Sequence, residues 1–301
     1  MKPTVPDRVE LRSRRLWFAA LTLLSQAEKE FISQWGKAAR SFGEEEVHDL
    51  RVASRRLREG LALFAPCFPP KSVARVSKLV RRVTRSMGAL RNIDEALLFL
   101  SALEPEERSG CAIELEKLKQ ALAHEREDAR RTLAKELAGP DRSRLRRRFR
   151  LLVSRTNPFV DKGVDPFARL SPFAADALTE RADTVRRLLP DAMNEAEFAA
   201  QHRLRIAVKK MRYRAELIGP LFPDQGEELR GALKTYQEVL GKLHDIDVFA
   251  EMVRERLEDG IEREVLLQVM DKRRKELFAR FIETLQDVSL EELTERALAT
   301  L

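Results

Sequence analysis

The sequence is short of cysteine, of aromatic residues and of long apolar runs, and each shortage narrows what the chain can be. Only Cys67 and Cys111 occur, and neither belongs to a CxxC pair. That argues against a disulfide scaffold and against thiolate zinc sites. No apolar run approaches the roughly 18 residues needed to cross a bilayer. The opening stretch, MKPTVPDRVELRSRR, carries charges where a secretory signal would have its apolar core. The expectation is a soluble, cytoplasmic chain that does not enter membranes. Aromatic residues make up 6% of the 301 positions, while Leu, Ala, Arg and Glu are abundant. Those straight-chain and small residues lose little rotamer freedom in helices. A hydrophobic content of 44% is enough to fill real cores despite 35% charged residues, and the formal net charge of +7 points to an acidic partner.

Apolar periodicity near 3.6 predicts helices over about 7–40, 44–65, 71–86, 89–101, 105–138 and 141–156. The stretch NPFVDKGVDP, Asn157 to Pro166, has the composition of a linker. Ser171-Pro172 then suggests an N-cap and a first-turn proline. Helices follow at about 172–189, 195–218, 225–239, 242–259 and 261–285, with a short piece from 289. No alternating strand pattern appears, so the fold class is all-α.

The two halves also resemble each other. HDLRVASRRLR (48–58) matches HRLRIAVKKMR (202–212) at an offset of 154, and Phe68-Pro69 matches Phe222-Pro223. GALRNIDEALL (88–98) matches GKLHDIDVFAE (241–251) at an offset of 153. A tandem duplication is expected, with repeat one at 7–156, a linker at 157–167 and repeat two at 168–301.

On a helix turning about 100° per residue, His48, Arg51, Arg55 and Arg58 share one side. Leu50, Leu57, Leu61 and Phe64 share the other. The second copy repeats this, with His202, Arg205, Lys209 and Arg212 behind Leu204, Met211, Ala215 and Ile218. Arg56 and Lys210 lie on the flanks. An ordinary solvated face mixes signs and gains i,i+4 acid–base pairs, whereas these stripes contain no acid. Arg51 beside Arg55, and Arg205 beside Lys209, therefore call for an external counter-charge. Between Val47 and Arg91 eleven Lys or Arg face two acids, whereas from Ile246 onward nine bases face fourteen acids. Lys78, Arg82 and Arg85 on the predicted 71–86 helix, and Lys234 in the second half, are further candidates. So concentrated a positive field attracts linear polyphosphates, and arginine matches phosphate geometry with paired N–H groups.

HxxRxxxRRxR at 48–58, HxLRIxxKKxRY at 202–213 and the GxLRNID and GKLHDID blocks resemble the CHAD domain, the conserved-histidine α-helical domain, from about residue 8 to about residue 290. The resemblance implies two similar four-helix bundles around a basic groove or pore, binding of inorganic polyphosphate and association with polyphosphate granules. It implies His48, Arg51, Arg55, Arg56, Arg58, His202, Arg205, Lys209, Lys210, Arg212 and Tyr213 as binding residues. The arginine–aspartate pair of the GxLRD block is Arg91-Asn92 in one copy and His244-Asp245 in the other, and that block is expected to brace the bundle through Asp94 and Asp247. The ExExK strand of the CYTH module that accompanies many relatives is missing. Its nearest string, Glu114-Leu115-Glu116-Lys117, is out of pattern.

Other functions fit the residues less well. His48 and His202 sit among permanent cations that repel divalent metals, and neither cysteine nor paired histidine completes a ligand set, so no metal and no cofactor are expected. Phosphate-backbone binding of nucleic acid is the second choice, because only Tyr213 and Tyr236 lie near the basic faces to stack bases. A phosphohydrolase lacks a P-loop, a nucleophile with its base, or a carboxylate cluster, so the expectation is a non-catalytic protein. The arginine-rich RSRLRRRFR at 142–150 forms either a rim of the same site or a separate patch.

Overall fold

The computed structural model describes residues 15–139, 141–154, 164–165, 167–221 and 224–300. Their secondary structure is helical, with one isolated antiparallel bridge, Arg15 to Arg169, clasping the starts of the two halves. The helices are α1 (Leu16–Ser41), α2 (Glu44–Leu63), α3 (Pro70–Ser101), α4 (Pro105–Arg108), α5 (Ala112–Ala138) and α6 (Asp141–Ser154). In the second half they are α7 (Leu170–Ala192), α8 (Phe198–Ile218), α9 (Asp224–Arg256), α10 (Ile261–Asp287) and α11 (Leu290–Leu298). Among the described residues, no helix is long and apolar enough to cross a membrane.

Two expected helix breaks are absent, because α3 runs unbroken through Gly88 and α9 through Gly241. A glycine inside a helix costs about 1 kcal/mol. The buried stripe that continues through Met87, Leu90 and Ile93 outweighs that cost. One expected continuity fails as well: 105–138 divides at Gly110, whose φ of 84° leaves the right-handed helical region. The second half begins two residues early, with Arg169 rather than Ser171 at the N-cap position, so Pro172 falls inside the first turn of α7. The expected start of the first helix at residue 7, most of the linker and Phe222-Pro223 lie outside the described residues.

The core follows the predicted apolar stripes. Leu50, Leu57, Leu61 and Phe64 are fully buried, as are Leu204, Met211 and Ile218. It is not divided between the halves. One cluster extends from Leu16 to Ala297, and a smaller one joins Ile93, Leu100 and Leu122 to Ile246, Val253 and Met270. Phe99 of α3 meets Phe249 of α9 with ring centroids 5.1 Å apart. Trp35, fully buried in α1, donates Nε1–H to the Leu137 carbonyl at 2.9 Å and so fixes the end of α5.

This shared core sets α2 directly against α8. Arg214 of α8, almost fully buried, donates to Glu59 of α2 at 2.7 Å and to the Ala177 carbonyl and Glu180 of α7 at 3.1 Å. A buried guanidinium with one partner removed is costly, so this network fixes the crossing of the two helices.

Candidate functional site

The crossing of α2 and α8 brings the two basic stripes together. Arg55 of α2 donates to the Tyr213 hydroxyl of α8 at 2.9 Å, with its guanidinium 5.9 Å from the centre of the same ring. Arg51 and Arg55 come from α2 and Arg205 and Lys209 from α8. Arg91 of α3 and His244 of α9 belong to the same electrostatic neighbourhood. On α3 and α9, Gly88 and Gly241 face open space, since a Cβ at either would meet nothing within 4 Å.

Few acids answer these cations. Arg51 is only 7% exposed, and among the described residues none of Arg51, Arg55, Arg205 and Lys209 has a carboxylate within ion-pair distance. The Nε–H of Arg205 is buried with no hydrogen-bond partner. Burial, with Arg55 and Arg91 adding repulsion, pulls Arg51 down to about 9. Burial and the field of Arg55, Arg205, Arg51 and Arg91 take Lys209 down to about 6. Arg205 is lowered chiefly by burial, against the pull of Asp245, whose own pKa burial raises. Burial disfavours the charged form of Arg51, Arg205 and Lys209, neighbouring cations add to it, and an anion placed among these groups would favour the charged forms.

His202 and His244 form a pair. Their Nδ1 atoms are 3.1 Å apart and their ring centroids 4.3 Å apart. One ring must donate and the other accept, so the contact cannot survive protonation of both. Burial, then the nearby cations, lowers both, His244 to about 3. His48, the counterpart of His202, is exposed at the edge of a cavity beside Arg51 and Arg91.

Not every predicted residue joins the group. Arg58 lies at its far end, lowered by burial and by Arg81 and Arg55. Arg56 and Arg212 are both held by Glu216, at 3.1 and 2.8 Å, so an acid caps that end. Arg82 points elsewhere, bridging Glu136 of α5 at 2.8 Å and Asp141 of α6 at 3.2 Å. The residue of α3 that instead faces α2 is Arg81, through Arg58. Lys78, Arg85 and Lys210 are exposed, and Lys234 is exposed beside Glu238 at 3.8 Å. The 142–150 cluster is amphipathic, with Leu145, Phe149 and Leu152 buried. Arg142 donates to the Ile32 carbonyl of α1 at 3.2 Å, and Arg146 and Arg150 act on Glu28. It therefore packs on α1 and α3.

Arg91, His244 and Asp245, from the block expected to brace the bundle through Asp94 and Asp247, lie among the charges of this group. The bracing itself falls to Asp94 and Asp247. Arg126 Nε meets Asp94 Oδ1 at 2.6 Å, and Arg274 Nε meets Asp247 Oδ1 at 2.8 Å.

Fold and site together define an all-helical protein whose two basic helices cross with their cations grouped. A sequence model of the CHAD domain matches residues 24–254, and the chain belongs to the CHAD domain family. Among solved structures, the CHAD domain from the plant Ricinus communis is similar over 96% of this chain and 93% of its own, with 21% identity and a TM-score of 0.65. PptA from Streptomyces chartreusis is similar over 91% of this chain and 100% of its own, with 17% identity and a TM-score of 0.68. At these identities the likeness is one of fold. No curated protein matches the sequence.

Proposed function

We propose that the chain is a non-catalytic binder of inorganic polyphosphate, which lies in the cleft between α2 and α8 and recruits the protein to polyphosphate granules in the cytoplasm. The observation that carries this reading is the group of Arg51, Arg55, Arg205 and Lys209, buried or half-buried together without carboxylate partners, with the Arg205 Nε–H unsatisfied. A structural cation is normally buried with its counter-ion, so these four await one from outside. A linear polyanion supplies several at once. The scarcity of exposed aromatics beside the group favours a bare phosphate chain over single-stranded nucleic acid.

Titration with orthophosphate, tripolyphosphate, long-chain polyphosphate and single-stranded DNA tests the reading. Affinity is expected to climb steeply with phosphate chain length, because successive phosphates bind at high effective concentration. It is expected to fall with salt as counterions are released. Equal affinity for orthophosphate and long chains would exclude a groove.

Binding is also expected to take up protons. Lys209, near 6 when free, is mostly neutral at pH 7, and a bound anion raises its pKa. His202, also lowered, shifts the same way. Affinity should therefore increase as pH falls from about 8 toward 6. Calorimetry at pH 7 in buffers of different ionisation enthalpy would measure the uptake, and an apparent enthalpy independent of buffer would refute it.

A further inference from the structure

Beside the cleft, α2, α3 and α5 border an open cavity of about 590 Å³. At its cleft end stand Arg51 and Arg91. Its wall is mixed, with Val47 and Leu98 on the apolar side, Arg126, held by Asp94, on the polar side, and the acids Glu45 and Glu95, the latter paired with Arg91 at 2.9 Å. A bare phosphate chain has no use for the apolar part. We infer that this cavity takes the base and sugar of a nucleoside triphosphate whose phosphates lie on Arg51 and Arg91.

The second half shows how the same frame receives a flat ring. Arg274, counterpart of Arg126 in its pairing with the matched aspartate, lies 3.7 Å from the centre of the Phe198 ring. Gln201 accepts from its Nη2 at 2.6 Å, and the Glu195 carbonyl from its Nη1 at 3.2 Å. His202 closes the space against His244. At the 154-residue offset the first half has Glu44 for Phe198 and Val47 for Gln201, and at 153 it has Arg91 for His244 and Leu98 for Glu251. The ring of Phe198 thus has no aromatic counterpart in the first half, and the histidine that shuts the second half is replaced by a guanidinium suited to phosphate. A purine or pyrimidine stacks on a guanidinium plane much as Phe198 does. The cavity's volume lies within the range of small-ligand sites.

The inference rests on the phosphate-binding reading of the cleft, and one experiment separates the two. The full chain is titrated with ATP, CTP, tripolyphosphate and long-chain polyphosphate in one magnesium-free buffer. ATP and CTP should bind about tenfold more tightly than tripolyphosphate, the increment expected of one stacked base. Leu98, 59% exposed, tolerates change without loss of fold. Leu98→Gln combined with Val47→Gln, the latter copying the second half, should erase that advantage and leave both polyphosphates unchanged. Nucleotides no tighter than tripolyphosphate, or an advantage that survives the double variant, would overturn the pocket while leaving the cleft reading intact. Nucleotide binding without polyphosphate binding would overturn the cleft reading alone, and failure of every ligand would overturn both.

Discussion

Arg55→Glu and Lys209→Glu should each weaken long-chain polyphosphate binding by about 1.5–3 kcal/mol or more, the scale of a lost charge-assisted contact. Roughly tenfold to more than a hundredfold in Kd is expected from either. Neither side chain is held by a carboxylate in the fold. Arg55 gives up one hydrogen bond to Tyr213, and Lys209 relieves repulsion from Arg55, Arg205, Arg51 and Arg91. Both variants should therefore fold, which circular dichroism and thermal melting would check. The comparison variant is Lys272→Glu, which changes net charge equally at an exposed position on α10. At moderate salt, charges beyond about 10 Å are screened, so this variant should bind almost as the parent does. Equal losses from all three would mean a diffuse polycation and no site.

Arg274→Glu should do something different: it should destabilise the fold. From its place in the acidic last third of the sequence, Arg274 reads as a neutral surface control. The fold buries it to 5% exposure between Asp247, Gln201, the Glu195 carbonyl and the face of Phe198. Removing one member of a buried charge pair costs about 3–5 kcal/mol, and reversal adds repulsion with Asp247. A chain of this size should lose on the order of 10 °C in melting temperature. Arg274→Met, which leaves Asp247 unpaired without repulsion, should lose less. Melting temperatures within a degree or two of the parent would show that the network is dispensable.

The contrast between these residues marks what could be read from the chain alone. Period and sign within one helix are local properties. They placed Arg51, Arg55, Arg205 and Lys209 on one side of α2 and α8 because Leu57 and Met211 had to be on the other. Which cations acquire a carboxylate is a property of neighbouring helices. Glu216 takes Arg56 and Arg212, and Glu136 and Asp141 turn Arg82 away. Nothing in the spacing of 71–86 distinguishes Arg82 from Arg81, because the frame that decides is the position of α5, α6 and α2. The breaks assigned at Gly88 and Gly241 failed for a related reason. Helix propensity weighs about 1 kcal/mol at one residue, whereas the tertiary stripe through Leu90 and Leu243 acts over the whole helix.

The joint between α2 and α8 has a consequence for how such a chain could have arisen. In an isologous dimer of identical units, any two equivalent positions must carry the same side chain. At the 154-residue offset Tyr213 corresponds to Glu59, Arg214 to Gly60 and Glu216 to Ala62. Each bond across the joint uses one of those differences: Arg55 to Tyr213, Glu59 to Arg214, Arg56 to Glu216. Gly60 leaves room where a Cβ would already press on the Leu24 side chain at 3.0 Å, so a second arginine there would have to move that side chain of α1. Two identical copies could not form this joint, so its complementary faces require two segments free to diverge, and free-standing copies of the first half would lack the partner residues it requires.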